Sequence, residues 1–294
     1  MKELILKWKQ YKYRFVPWLI VNLKNRSIQS NTELDSSFVA TEKLQADLYT
    51  FLCGLHKHFE KLQPKTEEHK HIAGLHFMKE FYGFTVERSA SIVPNCGQGV
   101  KVTSGTVQPG CITSLYPGLI YEPYEHIFFQ SLGNQFILRC ADGLLIDGND
   151  KGLSKSLYKS CRGRDSFWPL PACDDSWLNL HNACPLNVGQ YVNNHNKQYP
   201  ANVAYQELDI STDFPAHLRQ YLPNNYYSSV IHSPNGTNRS LRVVALVSLQ
   251  TIHSVSYFFL TKISTSSRMG SRRNNLFKLF TTQTETGNIK AKVV

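Results

Sequence analysis

The sequence predicts an α+β fold, a helical N-terminal region followed by a domain of many short strands. Two observations carry that expectation. Residues 36–62 repeat apolar side chains at spacings of three and four, and beyond residue 85 the apolar runs shorten and are punctuated by Gly, Pro and Asp. Length and composition agree, since 294 residues with 41% hydrophobic and 12% aromatic side chains can bury one large core. The elements fall into four stretches: a basic, aromatic segment over 1–30, a helical region over 31–84, a β-rich domain over 85–260, and a polar, basic tail over 261–294.

In residues 1–30, lysines alternate with Trp8, Tyr11, Tyr13, Phe15 and Trp18, and Pro17 interrupts any helix. The segment fits a docking or solvated amphipathic helix, an organelle-targeting segment, or a surface-binding arm. The first helix follows, with Phe38, Leu44, Leu48, Phe51, Leu52, Leu55, Phe59 and Leu62 on one face. Pro64 stops it. Thr66 with Glu67 and Glu68 opens a second helix through Tyr82, and Gly83 closes that one. His56, His58, His69, His71 and His76 on this pair read as solvated side chains, since no thiolate or carboxylate completes a metal set.

The β-rich domain starts with "GVKVTSGTV", "CITSLYPGLIY" and "FFQSLGNQFILRC" as brief strands. "ILRC-ADG-LLID" is a hairpin turning at Asp142-Gly143. Residues 152–187, with Pro169, Pro171 and Pro185, read as loop-rich, and "LRVVALVSL" at 241–249 as another strand. The tail over 261–294, rich in Ser, Thr and Asn, reads as disordered.

Charge narrows the function classes. The net +10 comes from the ends: residues 1–30 and 261–294 each hold seven Lys or Arg against one acid. The body between them is close to neutral, which argues against a nucleic-acid groove in the core. No apolar run reaches the roughly 18–20 residues of a membrane span. Seven cysteines without a CxxC pair or a secretory leader point to an intracellular, reducing setting, nuclear, cytoplasmic or mitochondrial. His181 and Cys184 alone do not make a zinc site, and no metal is expected.

Three motifs remain. Gly97-Gln98-Gly99 precedes a strand at Val100, marking a backbone that passes close to something or a turn with positive φ. Tyr116-Pro117-Gly118 ends a later strand. Asn193-Asn194-His195 follows an apolar pair and precedes Pro200-Ala201-Asn202. In this order they resemble the SET-domain protein lysine methyltransferases. The runs "KYRFVPW", "SLYPGLIYEPYEHIFFQSLGNQFILRCADGLLIDGNDKG" and "VGQYVNNHNKQYPANVAYQELDI" extend that resemblance from residue 11 to about residue 253.

The resemblance implies a SET-type domain of short curved sheets closed by a pseudoknot. It implies that Gly97, Gln98, Gly99, Val100, Asn193 and Asn194 bind S-adenosyl-L-methionine. Tyr116 is then the catalytic tyrosine, lining a channel for a lysine presented by a protein or peptide substrate, and Asn202 helps fix the loop. Two departures stand out. Asn194 occupies a position usually held by histidine, with His195 one place along. The family's terminal G-E-E-L segment and aromatic cluster are absent, leaving Tyr257 as the nearest tyrosine. The expected function is therefore methyl transfer to a protein lysine. The alternative is a catalytically impaired SET module that binds cofactor or protein, and outside the family a β-rich scaffold without cofactor.

Overall fold

The computed structural model describes residues 38–132, 134–229 and 240–261. The expectations for residues 1–30 and for the tail beyond residue 261 lie outside the described residues. Two helices come first. Helix α1 (Thr41–Leu62) buries Leu44, Leu48, Phe51, Leu52 and Leu55, the stripe its apolar spacing requires. Phe38 and Leu62, at the ends of that stripe, are exposed. Helix α2 (Glu67–Tyr82) starts where Thr66 Oγ1 accepts the His69 amide at 3.1 Å. It stops at Gly83, whose φ of 77° is the left-handed cap that a side chain would disfavour. Among the described residues no helix is long and apolar enough to cross a membrane.

Three short sheets follow, so the molecule is mixed α+β. β1 (Phe84–Ala90) and β2 (Gln98–Val107) form an antiparallel hairpin edged by β11 (Ile252–His253). The five-stranded sheet runs β3 (Ile112–Tyr116), β10 (Leu241–Ser248), β8 (Val203–Ile210), β12 (Phe259–Leu260), β7 (Asn193–Asn194). β10 lies between β3 and β8, and its run from Val243 to Ser248 is buried throughout, which is why Val243–Val247 reads as continuous apolar sequence. The four-stranded sheet orders β5 (Ile137–Arg139), β6 (Leu145–Asp147), β4 (Gly118–Tyr121), β9 (Asn224–Tyr226). The β5–β6 hairpin turns at Asp142-Gly143 as expected, with Arg139 opposite Leu145.

Two stretches differ from the sequence expectation. Residues 128–132 are not a strand: Phe129–Ser131 is a 3-10 turn, and Asn134 takes over the local hydrogen bonding. Its Oδ1 accepts the Phe136 amide at 2.9 Å, and its Nδ2 donates to Gln130 O at 3.0 Å. Such side-chain bonds replace a ladder. The stretch read as loop-rich from residue 152 begins with a 14-residue helix, α3 (Gly152–Asp165). Its buried positions are Ser154, Tyr158 and Cys161, properly spaced but too polar to register as an apolar stripe. Tyr158 stacks edge-on with buried Trp177 at 4.9 Å and anchors a second, smaller core.

Beside that core Asp147 is 2% exposed; Oδ1 accepts from Asn134 (2.7 Å) and the Asn149 amide (3.1 Å), while Oδ2 has no partner. Burial pushes its carboxyl up to about 6, against the pull of Ser154, Asn134 and the Asn149 amide. A carboxyl whose folded pKa exceeds its unfolded value holds its proton more tightly when folded. Its contribution to stability therefore falls as pH rises from about 4 to 6. Asp147→Asn has no such titration. Urea denaturation should show the variant gaining on the parent by roughly 2–3 kcal/mol between about pH 4 and 7. Parallel curves for the two proteins would show that the carboxyl is not perturbed.

Candidate functional site

The β1–β2 hairpin positions the first motif. Ala90 pairs with Gln98, and the connecting loop closes where the Ser91 amide donates to Gly97 O at 2.9 Å. Gly97 has φ 68°, with open space where a Cβ would stand. Gly99 faces the Asn193 segment. A Cβ built on it would lie 3.0 Å from Asn193 Nδ2 and 3.1 Å from the Tyr257 ring. Glycine there leaves a small cradle between an amide and an aromatic edge. Asn193 reaches across by donating Nδ2 to Gln98 O (3.2 Å) and Ser91 Oγ (3.0 Å). Val100 is buried, and its carbonyl accepts the Phe258 amide at 2.9 Å.

The C-terminal segment completes the cradle. β12 runs parallel to β7, pairing Phe259 with Asn193 and Leu260 with Asn194. Asn202 fixes that segment: Nδ2 donates to Tyr257 O at 2.8 Å and Oδ1 accepts the Phe259 amide at 2.7 Å. The Tyr257 hydroxyl donates to Ala90 O at 2.9 Å and accepts from Ser89 Oγ at 3.1 Å. The structure thus gives Tyr257 a place against Gly99, which sequence spacing alone left open. Asn194 is half-buried, and His195 Nδ1 and the His195 amide both lie 2.9 Å from Leu260 O.

Tyr116 ends β3 and is 3% exposed. Its hydroxyl donates to Phe136 O at 2.8 Å, and its ring meets Tyr205 edge-on at 5.8 Å. Phe136 in turn meets Tyr191 edge-on at 6.0 Å. The 3-10 turn Gly189–Tyr191 leads into Asn193 and packs on β3. Gly189 packs against Leu115 O, where a Cβ would come within 2.6 Å. Gly99 and Asn193 therefore meet directly, while Tyr116 joins them through this turn and its aromatic neighbours. Tyr191 also links three segments that sequence reasoning did not connect. Its hydroxyl donates to Asp150 (2.6 Å) and accepts from Arg88 Nη1 (2.7 Å), with the guanidinium 4.9 Å above its ring. No signal in a single sequence pairs Arg88 with Asp150 across so many residues.

The histidines need a correction. His69 and His76 are exposed, as expected, but His56, His58 and His71 are half-buried. His56 Nδ1 lies 2.9 Å from the Tyr221 hydroxyl, and His71 Nδ1 lies 3.0 Å from Asn182 O. Glu87, 3.7 Å from His71, raises the pKa of that imidazole and docks α2 on β1. Among the described residues one group has metal-ligand spacing: Cys140, Asp142 and Glu207. Arg242 already occupies it, ion-paired to Glu207 and 3.0 Å from Asp142, so the protein supplies its own cation. All seven cysteines are unpaired.

A human protein, SET domain-containing protein 9 [Homo sapiens], is 37% identical over 294 residues, covering 88% of this chain and 96% of that protein. This chain belongs to the SET-domain family. A second SET domain-containing protein 9, from Pongo abelii, is 51% identical over 179 residues, 60% of this chain and 63% of that protein. No family model matches the chain. Two solved structures are similar at 10% identity and a TM-score of 0.30, a score too low to carry a structural argument. One is ctPRC2 in an autoinhibited conformation bound to S-adenosylmethionine, with 63% of this chain and 16% of that chain covered. The other is a humanized mutant of the Chaetomium thermophilum Polycomb Repressive Complex 2 bound to the inhibitor GSK126, at 70% and 18%. The Gly99 and Asn193 regions meet in space, and the segment after β10 packs on Gly99 through Tyr257.

Proposed function

We propose that the chain is an S-adenosylmethionine-dependent methyltransferase acting on a lysine ε-amine presented by a protein or peptide. The observation that carries this reading is the Gly99 cradle: a backbone position where a single Cβ would fill the space between the Asn193 amide and the Tyr257 ring. That gap fits the approach of a compact, charged and amphipathic cofactor. Gly97, Gln98, Gly99 and Val100 would meet it with main-chain groups, and Asn193 and Asn194 with amides. The cofactor supplies a methyl group on a sulfonium. The domain limits proposed from sequence, 85–260 for the SET domain with 31–84 as a docked helical region, go with this reading. So do a pseudoknot, with Asn202 gripping the segment from Tyr257 to Phe259, and an intracellular setting suited to seven free thiols.

The residues act by alignment and exclusion of water rather than by covalent chemistry. An incoming lysine must lose its proton to become nucleophilic. Entry among Tyr116, Tyr205, Phe136 and Tyr191 strips water from the ammonium and lowers its pKa from about 10.4. Burial also pushes the Tyr205 phenol well above its usual range, so this wall stays uncharged. Tyr116 would orient the amine, in line with the transferring methyl.

A second reading, a module that binds without turnover, is favoured by one observation. The Tyr257 hydroxyl is committed to Ala90 and Ser89 on the cofactor side, not to the Tyr116 wall. Calorimetry with S-adenosylmethionine separates both readings from a cofactor-free scaffold, which shows no heat of binding. Radiolabelled methyl transfer to core histones and peptide arrays then divides the two. Incorporation that is lost in Tyr116→Phe is the expected result, and binding without any incorporation assigns the module.

A further inference from the structure

Buried polar atoms ordinarily find a partner, so each exception raises the question of what meets it. Gln190, in the Gly189–Tyr191 turn, is 6% exposed, and its Nε2 and Oε1 are both sealed from solvent with no partner among the described residues. No other described side chain leaves two such atoms. Its stem stands beside Gly148, next to the edge of the Tyr116 ring. A Cβ on Gly148 would lie 3.3 Å from Gln190 Cβ and 3.0 Å from Tyr116 Cε1. A second amide serves the same strand end. Asn224, 1% exposed, donates Nδ2 to Tyr116 O (3.0 Å) and Gly118 O (3.3 Å), yet its Oδ1 has no partner.

We propose that Gln190 is a specificity-determining residue that takes the primary amine of the methyl acceptor beside Tyr116; this rests on the methyltransferase reading above. The chemistry favours that occupant. An amine offers N–H donors to an amide oxygen while keeping its lone pair free for attack. A neutral amide holds those donors without the countercharge by which a carboxylate would stabilise the ammonium. Each added methyl removes a donor, so this position distinguishes an unmethylated amine from a quaternary one. An ordered water is the competing occupant.

The test uses the full chain, 15N-labelled and saturated with S-adenosylhomocysteine. It is titrated with n-butylamine at about pH 9, where part of the amine is neutral. The side-chain amide resonances of Gln190, assigned as those missing in Gln190→Leu, should shift saturably. n-Butyltrimethylammonium should move them at least about tenfold less. Gln190→Leu should melt at or above the parent temperature, because it removes an unpaired amide, and bind S-adenosylhomocysteine within about twofold. Resonances silent to n-butylamine, an equal response to the quaternary ion, or a Gln190→Leu variant melting several degrees lower would each overturn the inference, the last by making the amide a structural group. A wild-type chain that binds no S-adenosylhomocysteine overturns the methyltransferase reading as well. An amine-silent Gln190 in a chain that does bind it overturns this inference alone.

Discussion

Gly99→Val should weaken S-adenosylmethionine binding by about a hundredfold or more, a loss near 2.7 kcal/mol, while leaving the melting temperature within a few degrees of the parent. The Cβ alone arrives 3.0 Å from Asn193 Nδ2 and 3.1 Å from the Tyr257 ring, and two further methyls have no space in the cradle. Asn193 is half-buried and can yield, which limits the damage to the fold. Yielding breaks its bonds to Gln98 O and Ser91 Oγ, so the amide leaves the position from which it would hold the cofactor. Valine is otherwise at home in a strand, and Gly99 is the second residue of β2, opposite Ser89, with no positive φ to preserve. Calorimetry reads the affinity and a thermal melt the fold. An affinity within threefold of the parent would remove Gly99 from the site.

How much of this was legible beforehand depends on where the determining contacts sit along the chain. α2 announced itself at both ends because Thr66 and Gly83 act on their own neighbours. β10 was legible because a strand buried on both faces reads as a near-continuous apolar run, here Val243–Val247. α3 was hidden, since it buries serine, tyrosine and cysteine, and periodicity is visible only when the buried face is apolar. The same divide runs through the site. Gly97, Gly99, Tyr116 and Asn193 were picked out by the resemblance to the SET-domain family, since each motif taken singly is a weak signal. Tyr257 was named without a register, and Gln190 was not named at all. The place of Tyr257 depends on Asn202 gripping a segment 55 residues away, and the interest of Gln190 lies in missing partners, which only a packed structure displays.

Asn202→Ala should affect both stability and binding, and that joint loss distinguishes it from Gly99→Val. Asn202 is 7% exposed and grips the C-terminal segment with three bonds, while a fourth ties it to the end of β10. Its side chain holds Tyr257 O and the Phe259 amide, its own amide donates to Phe259 O at 2.9 Å, and its carbonyl accepts the Leu249 amide at 2.8 Å. Alanine keeps the two main-chain bonds and deletes the two side-chain ones, stranding a carbonyl and an amide beside buried Phe258 and Phe259. At about 1–3 kcal/mol for each stranded group, partly relieved by water, the loss should be about 2–4 kcal/mol in urea denaturation. The segment that loosens carries Tyr257, so the wall opposite Gly99 goes with it and cofactor affinity should fall about tenfold. Hydrogen exchange at the Phe259 amide should accelerate before global unfolding does, because the parallel pairing of β12 with β7 is only two residues long. If Asn202→Ala loses stability but binds the cofactor as the parent does, the segment from Tyr257 to Leu260 is a structural strap and not part of the cradle.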